Sequence, residues 1–425
     1  MGRDTSTEGR LVTKWLLEAS LDGIGKFHTT SIFPISIFSY KKGVNANPGD
    51  PNYDLKRLAL KSLSKRIYPN WVNGDWSQAH EDPNNKDTFM ATMGCRTLVG
   101  YDRHGLGYSR VGRGNNVPIT MILPKIALEC GIATGEREKP DLELFNEKFE
   151  NLLKLTEKAL LDRYDIMKRQ SPKSAPFMYM NGTIKYGEEC TDTVEKSLKH
   201  NSLAFGFIGI AEMCQALFGK DHADGDKEVY DFALNIVKRI YDFAAECSEK
   251  HDLNFVCYAT PAEGLCRTAL VKLRHDFGVI PNITDREYIT NSFHVPVWKE
   301  VSIYEKLQLE APFTKFATGG TITYVELDSS FMNNLDAVES IIDYAFQELD
   351  IPYLAFNFPI DTCMDCGYSA EFNECCPQCG SKNIEQLRRV TGYLTTDYSH
   401  FNAGKIAEVE DRVKHSKFTD FINKK

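Results

Sequence analysis

The sequence predicts an α/β fold, and three observations lead there. Residues 141–169 carry Phe145, Phe149, Leu152, Leu153, Leu160, Tyr164 and Met167 three and four apart among charged residues, the signature of a long amphipathic helix. Short apolar runs, such as residues 119–124 and 352–358, read as strands buried in a sheet. Helical and strand patterns both recur from one end of the chain to the other.

Taken in order, Leu11 to Leu21 has apolar residues at helical spacing (Leu11, Trp15, Leu16, Ala19), and Gly23 and Gly25 supply a stop. Residues 31–40 read as a largely buried strand, with Pro34 arguing against a regular central one. A turn-rich loop over 43–53 leads to a second helix over 55–67 that offers Leu58, Leu60 and Leu63 for burial. Gly112 to Asn116 then feeds the strand over 119–124. In the apolar stretch 202–212, Gly206 and Gly209 permit close approach of backbone or ligand, or equally tight helix packing. Residues 227–247 form another long helix. Thr260-Pro261-Ala262-Glu263-Gly264 suits a helix opening, with threonine as cap and proline in the first turn, and such an opening favours a phosphate. Thr318 to Thr321 is a Gly-rich turn ahead of a strand over 322–327; a helix over 335–349 and a strand over 352–358 follow.

Composition narrows the function. A chain of 425 residues with 42% hydrophobic content can bury a large core. Its net charge of −9 argues against direct nucleic-acid binding by bulk charge, so a polyanionic substrate must be held by local groups. No apolar run spans a bilayer and no signal-peptide pattern is present. Twelve cysteines, four of them in two Cys-x-x-Cys pairs, point to metal and reduced thiols in a cytoplasm more than to a secreted disulfide framework.

Those two pairs are the strongest motif. Cys363-x-x-Cys366 and Cys376-x-x-Cys379 can each present two thiolates to one ion, and two such knuckles complete a closed S₄ site typical of structural zinc. Cys375 is a register alternative; a redox dithiol or iron is the alternative chemistry. Thirteen positions after Cys379 comes Gly392, in Arg388-Arg389-Val390-Thr391-Gly392-Tyr393-Leu394. Loss of one hydrogen from a glycine α-carbon leaves a radical shared by the flanking amide and carbonyl, in a residue whose backbone can be approached closely. Upstream, Met93-Gly94-Cys95-Arg96 places a cysteine, whose S–H exchanges a hydrogen atom with a carbon radical, beside a glycine.

Arg389-Val390, Gly392-Tyr393-Leu394, Asn402, Gly404-Lys405, Glu408-Val409, Arg412 to His415 and the Met-Gly-Cys-Arg of the Cys95 loop together resemble the anaerobic (class III) ribonucleotide reductases, which are glycyl-radical enzymes. The likeness runs along nearly the whole chain. Thr391 and Thr395 depart from it, standing where many members have cysteine and glycine. The resemblance implies part of a ten-stranded barrel surrounded by helices over 1–358, a zinc-binding region over 359–385 and a glycyl-radical loop and tail over 386–425. It implies that Gly392 stores the radical and that Cys95 carries the thiyl radical which takes the ribose 3′ hydrogen. It further implies that Asn115 orients the ribose, with Asn116 an equally polar neighbour, and that Thr260, Ala262, Glu263 and Gly264 contact the triphosphate. Asparagine in that position is associated with formate as reductant. The implied partners are a ribonucleotide, an activating enzyme with S-adenosylmethionine and a 4Fe–4S cluster, and a second copy in a homodimer. Gly23 to Lys26 and Asp50 to Leu55 resemble segments well inside a longer reductase, so an N-terminal half is expected as a further partner. Two other classes compete: a different glycyl-radical enzyme, and a zinc-binding remnant or interaction module without catalysis.

Overall fold

The computed structural model describes residues 1–94, 96–181, 192–328, 331, 333–372, 374–390 and 393–415. Its helices are α1 (Thr7–Asp22), α2 (Tyr53–Arg66), α3 (Leu123–Cys130), α4 (Leu142–Lys168), α5 (Pro176–Tyr179), α6 (Glu195–Leu198), α7 (Ile210–Phe218), α8 (Lys227–His251), α9 (Leu265–Phe277), α10 (Ile303–Thr314), α11 (Leu335–Asp343) and α12 (Ala403–Glu410). Its strands are β1 (Ile37–Tyr40), β2 (Asn70–Asn73), β3 (Asn115–Ile122), β4 (Ser202–Ile208), β5 (Asn254–Ala259), β6 (Thr323–Glu326), β7 (Tyr353–Asn357), β8 (Ile360–Cys363), β9 (Ser369–Ala370), β10 (Ile384–Val390) and β11 (Tyr393–Thr395). The fold is mixed α/β, as expected.

The chain forms two compact units: Met1–Ala79, Val297–Ala311 and Ile322–Lys425 make the first, His80–Pro296 and Pro312–Thr321 the second. The expected boundary after residue 358 is therefore not a boundary between units, because β8 to β11 share a unit with residues 1–79.

In the first unit one sheet has the order β1-β2-β7-β6, with β2 and β7 antiparallel between two parallel pairs. All five β7 residues are buried, as expected of a strand covered on both faces. Helix α2 turns Leu55, Ala59, Leu60 and Leu63 into the same core as Phe38, Trp71 and Phe356. Lys56, one residue from that face, is fully buried, and its ammonium is met by Glu339 at 2.8 Å, Asp343 at 2.9 Å and the Ala46 carbonyl at 2.7 Å. An interior charge is tolerable only when paired and hydrogen-bonded in this way. A second, antiparallel sheet has the order β11-β10-β8-β9.

The second unit is built on the parallel sheet β3-β4-β5. Both β4 and β5 are buried along their whole length. Among the described residues the sheets have four, four and three strands, so the expected ten-stranded barrel is not seen as a single closed sheet.

Several elements differ from the sequence expectation. The strand over 31–40 shrinks to β1, after Pro34. Residues 202–212, for which the sequence left close approach and helix packing open, are strand, turn and helix, since Gly209 adopts a left-handed φ of 80° between β4 and α7. Nine consecutive apolar residues, 203–211, carry no period that separates strand from helix. Asn115 and Asn116 belong to β3, while Leu123 and Pro124 start α3. Thr260 is not a helix cap: α9 begins at Leu265 with Gly264 before it, and Ala262 donates its N–H to the Asn291 side chain at 2.7 Å.

Candidate functional site

The four cysteines of the two knuckles converge. Their sulfurs all lie within 4.8 Å of one another. Cys363 and Cys379 are 3.5 Å apart and Cys366 and Cys376 3.6 Å, close to the edge of about 3.8 Å that a tetrahedron with ~2.3 Å metal–sulfur bonds requires. Cys375 is exposed and stands outside the cluster.

The two knuckles repeat one backbone design. Cys363 donates its N–H to the Tyr368 carbonyl, and Gly367 donates back to Cys363; Cys376 and Gly380 do the same with Ser381. Gly367 and Gly380 take left-handed φ values of 79° and 75°, which closes each turn so that both thiols face inward. The backbone N–H groups of Cys366 and Asp365 point at the Cys363 sulfur and hold its thiol down to about 6. Such a thiol is readily a thiolate, the form a metal binds. Asp365 ties the knuckles together by accepting from Ser381 Oγ at 2.5 Å and Asn383 Nδ2 at 2.9 Å. This donor set can hold one metal ion with no position left open.

The sheet carries that rigidity toward Gly392. Strand β10 leaves the cluster with Ile384 opposite Cys363 and runs to Val390, which pairs with Tyr393 of β11. Thr391 and Gly392 fall between these partners and lie outside the described residues, as does Cys95. Strand β10 is anchored on both sides. Arg388 donates to buried Asp361 at 2.7 Å. Arg389 donates to Asn70 at 2.8 Å and lies over the Tyr68 ring at 4.7 Å.

Most of the C-terminal residues that carry the resemblance make one dock. Asn402 caps α12 by accepting the Lys405 N–H at 3.1 Å, and Lys405 pairs with Glu408 at 2.6 Å, both buried. Arg412 donates to the Arg389 carbonyl at 2.7 Å and faces Glu326 at 3.3 Å and Glu408 at 3.7 Å. His415 donates its N–H to the Glu326 carbonyl and accepts the Glu326 N–H at Nδ1, 3.0 Å away.

In the second unit, the segment flanking Cys95 is a tight hairpin. Met93 pairs with Thr97, and Thr97 pairs with Gly320, so the Gly-rich turn at 318–321 holds this hairpin as well as preceding a strand. Arg96 is fully buried and reaches the Ala259 carbonyl at 3.3 Å; Thr97 Oγ1 meets Tyr258 OH at 3.0 Å. The residues around Cys95 therefore sit at the carboxyl end of β5, next to Thr260–Gly264. Parallel sheets bind ligands at that end.

Asn115 stands elsewhere, at the amino end of β3 and opposite Ser202. It is five residues from Thr120, whose hydroxyl meets that of Thr260, a separation on the order of 15 Å along the strand. The Asn115 amide oxygen is buried without a hydrogen-bond partner among the described residues. Asn116 is engaged, donating to the Leu198 carbonyl and accepting from Asn201. Thr120 and Asn291 were missed from sequence; the only hint of Thr120 was a hydroxyl inside an apolar run.

Glu212, in the first turn of α7, accepts the Thr290 N–H at 2.7 Å, next to the Asn291 that holds Ala262. Burial pushes its carboxyl up to about 7. A folded-state value above the unfolded one favours the folded state only while both forms are protonated, below about 4.5, and the difference is lost as pH rises through 7. Glu212→Gln keeps the acceptor and cannot ionise. Urea titrations should find it more stable than the parent by about 3 kcal/mol at pH 8 and nearly equal at pH 4. Equal stability at both pH values would contradict the buried neutral acid.

Comparison with known proteins matches this arrangement to one family. Residues 1–415 match the family of anaerobic ribonucleoside-triphosphate reductases. The anaerobic ribonucleoside-triphosphate reductase of Escherichia coli (strain K12) is 37% identical over 427 residues, covering 97% of this chain and 58% of its own length. That of Enterobacteria phage T4 is 33% identical over 426 residues, covering 97% of this chain and 67% of its own. A solved anaerobic ribonucleotide reductase superposes with a TM-score of 0.68 at 22% identity, over 96% of this chain and 58% of that one. The chain thus spans a little over half the length of the bacterial relative. No helix among the described residues is long and apolar enough to cross a membrane. With a match that takes in both knuckles, β10, β11 and the α12 dock, the chain belongs to the anaerobic ribonucleoside-triphosphate reductase family.

Proposed function

We propose that this chain is the catalytic, C-terminal portion of a reductase that converts ribonucleoside triphosphates to deoxyribonucleoside triphosphates by glycyl and thiyl radical chemistry. The observation that carries the reading is the rigid path from the four-cysteine cluster through β10 to the Val390–Tyr393 pair that brackets Gly392. Zinc in that cluster, when bound, supplies a closed structural brace. In this reading Gly392 stores the radical and takes a hydrogen atom from Cys95, whose thiyl then takes the ribose 3′ hydrogen.

Asn115 orients the ribose hydroxyls in this scheme, and its unpartnered amide oxygen supports that role. An amide orients but cannot act as a base at neutral pH. Thr260, Ala262, Glu263 and Gly264 meet the triphosphate, formate is the reductant, and the reducing cytoplasm suits the free thiols. An activating enzyme with S-adenosylmethionine and a 4Fe–4S cluster generates the radical. The remaining length of the relatives supplies the rest of the barrel and the homodimer, as a partner half.

Anaerobic electron paramagnetic resonance tests this after incubation with the activating enzyme, S-adenosylmethionine and reductant, with and without a candidate N-terminal half. The expected result is a glycyl doublet that is absent in Gly392→Ala. In Cys95→Ser the doublet should persist, while ribonucleotide reduction is lost. Silence in both conditions, with an activating enzyme shown to work on another reductase, would favour a zinc-binding module without catalysis.

A further inference from the structure

At the carboxyl ends of β3, β4 and β5, Thr120 Oγ1 and Thr260 Oγ1 lie 3.0 Å apart. They reach each other across Gly206 of the middle strand. A Cβ there would come within 2.3 Å of the Thr260 hydroxyl and 2.8 Å of the Thr120 hydroxyl, so no other residue leaves room for the pair. Each hydroxyl has one proton to donate and two lone pairs. The contact between them uses one proton. The second has no acceptor among the described residues, although Thr260 is only 8% exposed. One hydroxyl proton of the pair is therefore free to meet an acceptor from outside the protein. Asn291, itself held in a buried segment, fixes the next turn of the loop by accepting the Ala262 N–H. Just beyond, α9 begins, with its N-terminal end favouring negative charge.

We propose that Thr120 is a further substrate-positioning residue, which by pairing with Thr260 leaves one hydroxyl proton directed to a phosphate oxygen of the nucleoside triphosphate. This rests on the reading of Thr260–Gly264 as the triphosphate contact and adds to it a residue from a strand 140 positions earlier. Thr120 is half-buried, and its role is carried by the hydroxyl, not by its bulk.

The test is calorimetric binding of CTP, inorganic tripolyphosphate and cytidine to the full chain, loaded with zinc and checked for fold by circular dichroism. Thr120→Val, which keeps the shape and removes the hydroxyl, should weaken CTP and tripolyphosphate about tenfold and leave cytidine unchanged. Thr120→Ser should bind within about twofold of the parent. A merely structural role would weaken cytidine equally or fail to be rescued by serine, and either result overturns the proposal. Unchanged CTP binding in Thr120→Val overturns it while leaving the triphosphate reading intact. If the folded parent binds neither CTP nor tripolyphosphate, the triphosphate reading falls and the inference falls with it.

Discussion

In protein loaded with zinc, chelating the ion away from Cys363, Cys366, Cys376 and Cys379 is expected to unfold the sheet β8–β11 while leaving the second unit folded. The reason is that the knuckles organise the turns of this sheet, whose remaining anchors are the Arg388, Arg389 and Arg412 contacts of β10 and the burial of Ile360 and Leu387. Strand β9 has two residues, β11 has three, and the turns between β8 and β10 are organised by the knuckles. Without a cation, four thiols within 4.8 Å cannot all ionise, because each thiolate raises the cost of the next. Metal binding in such sites is folding free energy, on the order of 10 kcal/mol. The effect should therefore exceed that of any single side-chain change in the chain. Hydrogen exchange after chelation should show amides of 360–395 losing protection while β4 and β5 keep theirs, with metal content measured in parallel. Cys379→Ser should reproduce the result, and in the activation experiment it should abolish the doublet without touching Gly392. Full protection of 360–395 in metal-free protein would remove the brace from the proposal.

Arg412→Ala is expected to release the C-terminal dock from β10. Its guanidinium meets the Arg389 carbonyl, Glu326 and Glu408, so truncation leaves two largely buried carboxylates without their shared cation. Loss of one partner from a buried ion cluster costs on the order of 3 kcal/mol. The dock should also be pH-sensitive through His415. Burial first, then the positive charges of Lys306 and Arg412, push its imidazole down to about 3, while Glu310 opposes them. A folded value below the unfolded 6.5 means that the unfolded chain binds the extra proton, so the stabilisation is complete above 6.5 and is lost as pH falls toward 3. At pH 5 the loss is about 2 kcal/mol. The Val413 and His415 amides, which donate to Val297 and Glu326, report it directly. Their exchange, corrected for intrinsic rate, should accelerate roughly thirtyfold from pH 7 to pH 5 in the parent and little in His415→Gln. A parent with flat protection across that range would show that His415 is not buried neutral.

Much of this site was legible before any coordinates. The two Cys-x-x-Cys pairs, with Cys375 kept as a register alternative, named four sulfurs that the structure brings together, because a knuckle is a local device whose spacing is its geometry. Amphipathic helices such as α4 were legible for the same reason, since the period of 3.6 is written into consecutive residues. The residues matched after Gly392 proved to be neighbours: Asn402, Lys405, Glu408, Arg412 and His415 build one dock.

What the sequence by itself determined was therefore local: the helices, the strands, the knuckles and the chemistry offered by a cysteine, a glycine and four thiols. Only the tertiary structure decided what lies side by side. It put Thr120 against Thr260, moved the helix start from Thr260 to Leu265 and separated Asn115 from that loop by most of a strand. It also made residues 202–208 a strand, where an unbroken apolar run favoured neither reading. The physical reason is that strand order and register are set by long-range hydrogen bonds and burial, which join residues more than a hundred positions apart and leave no period in the sequence.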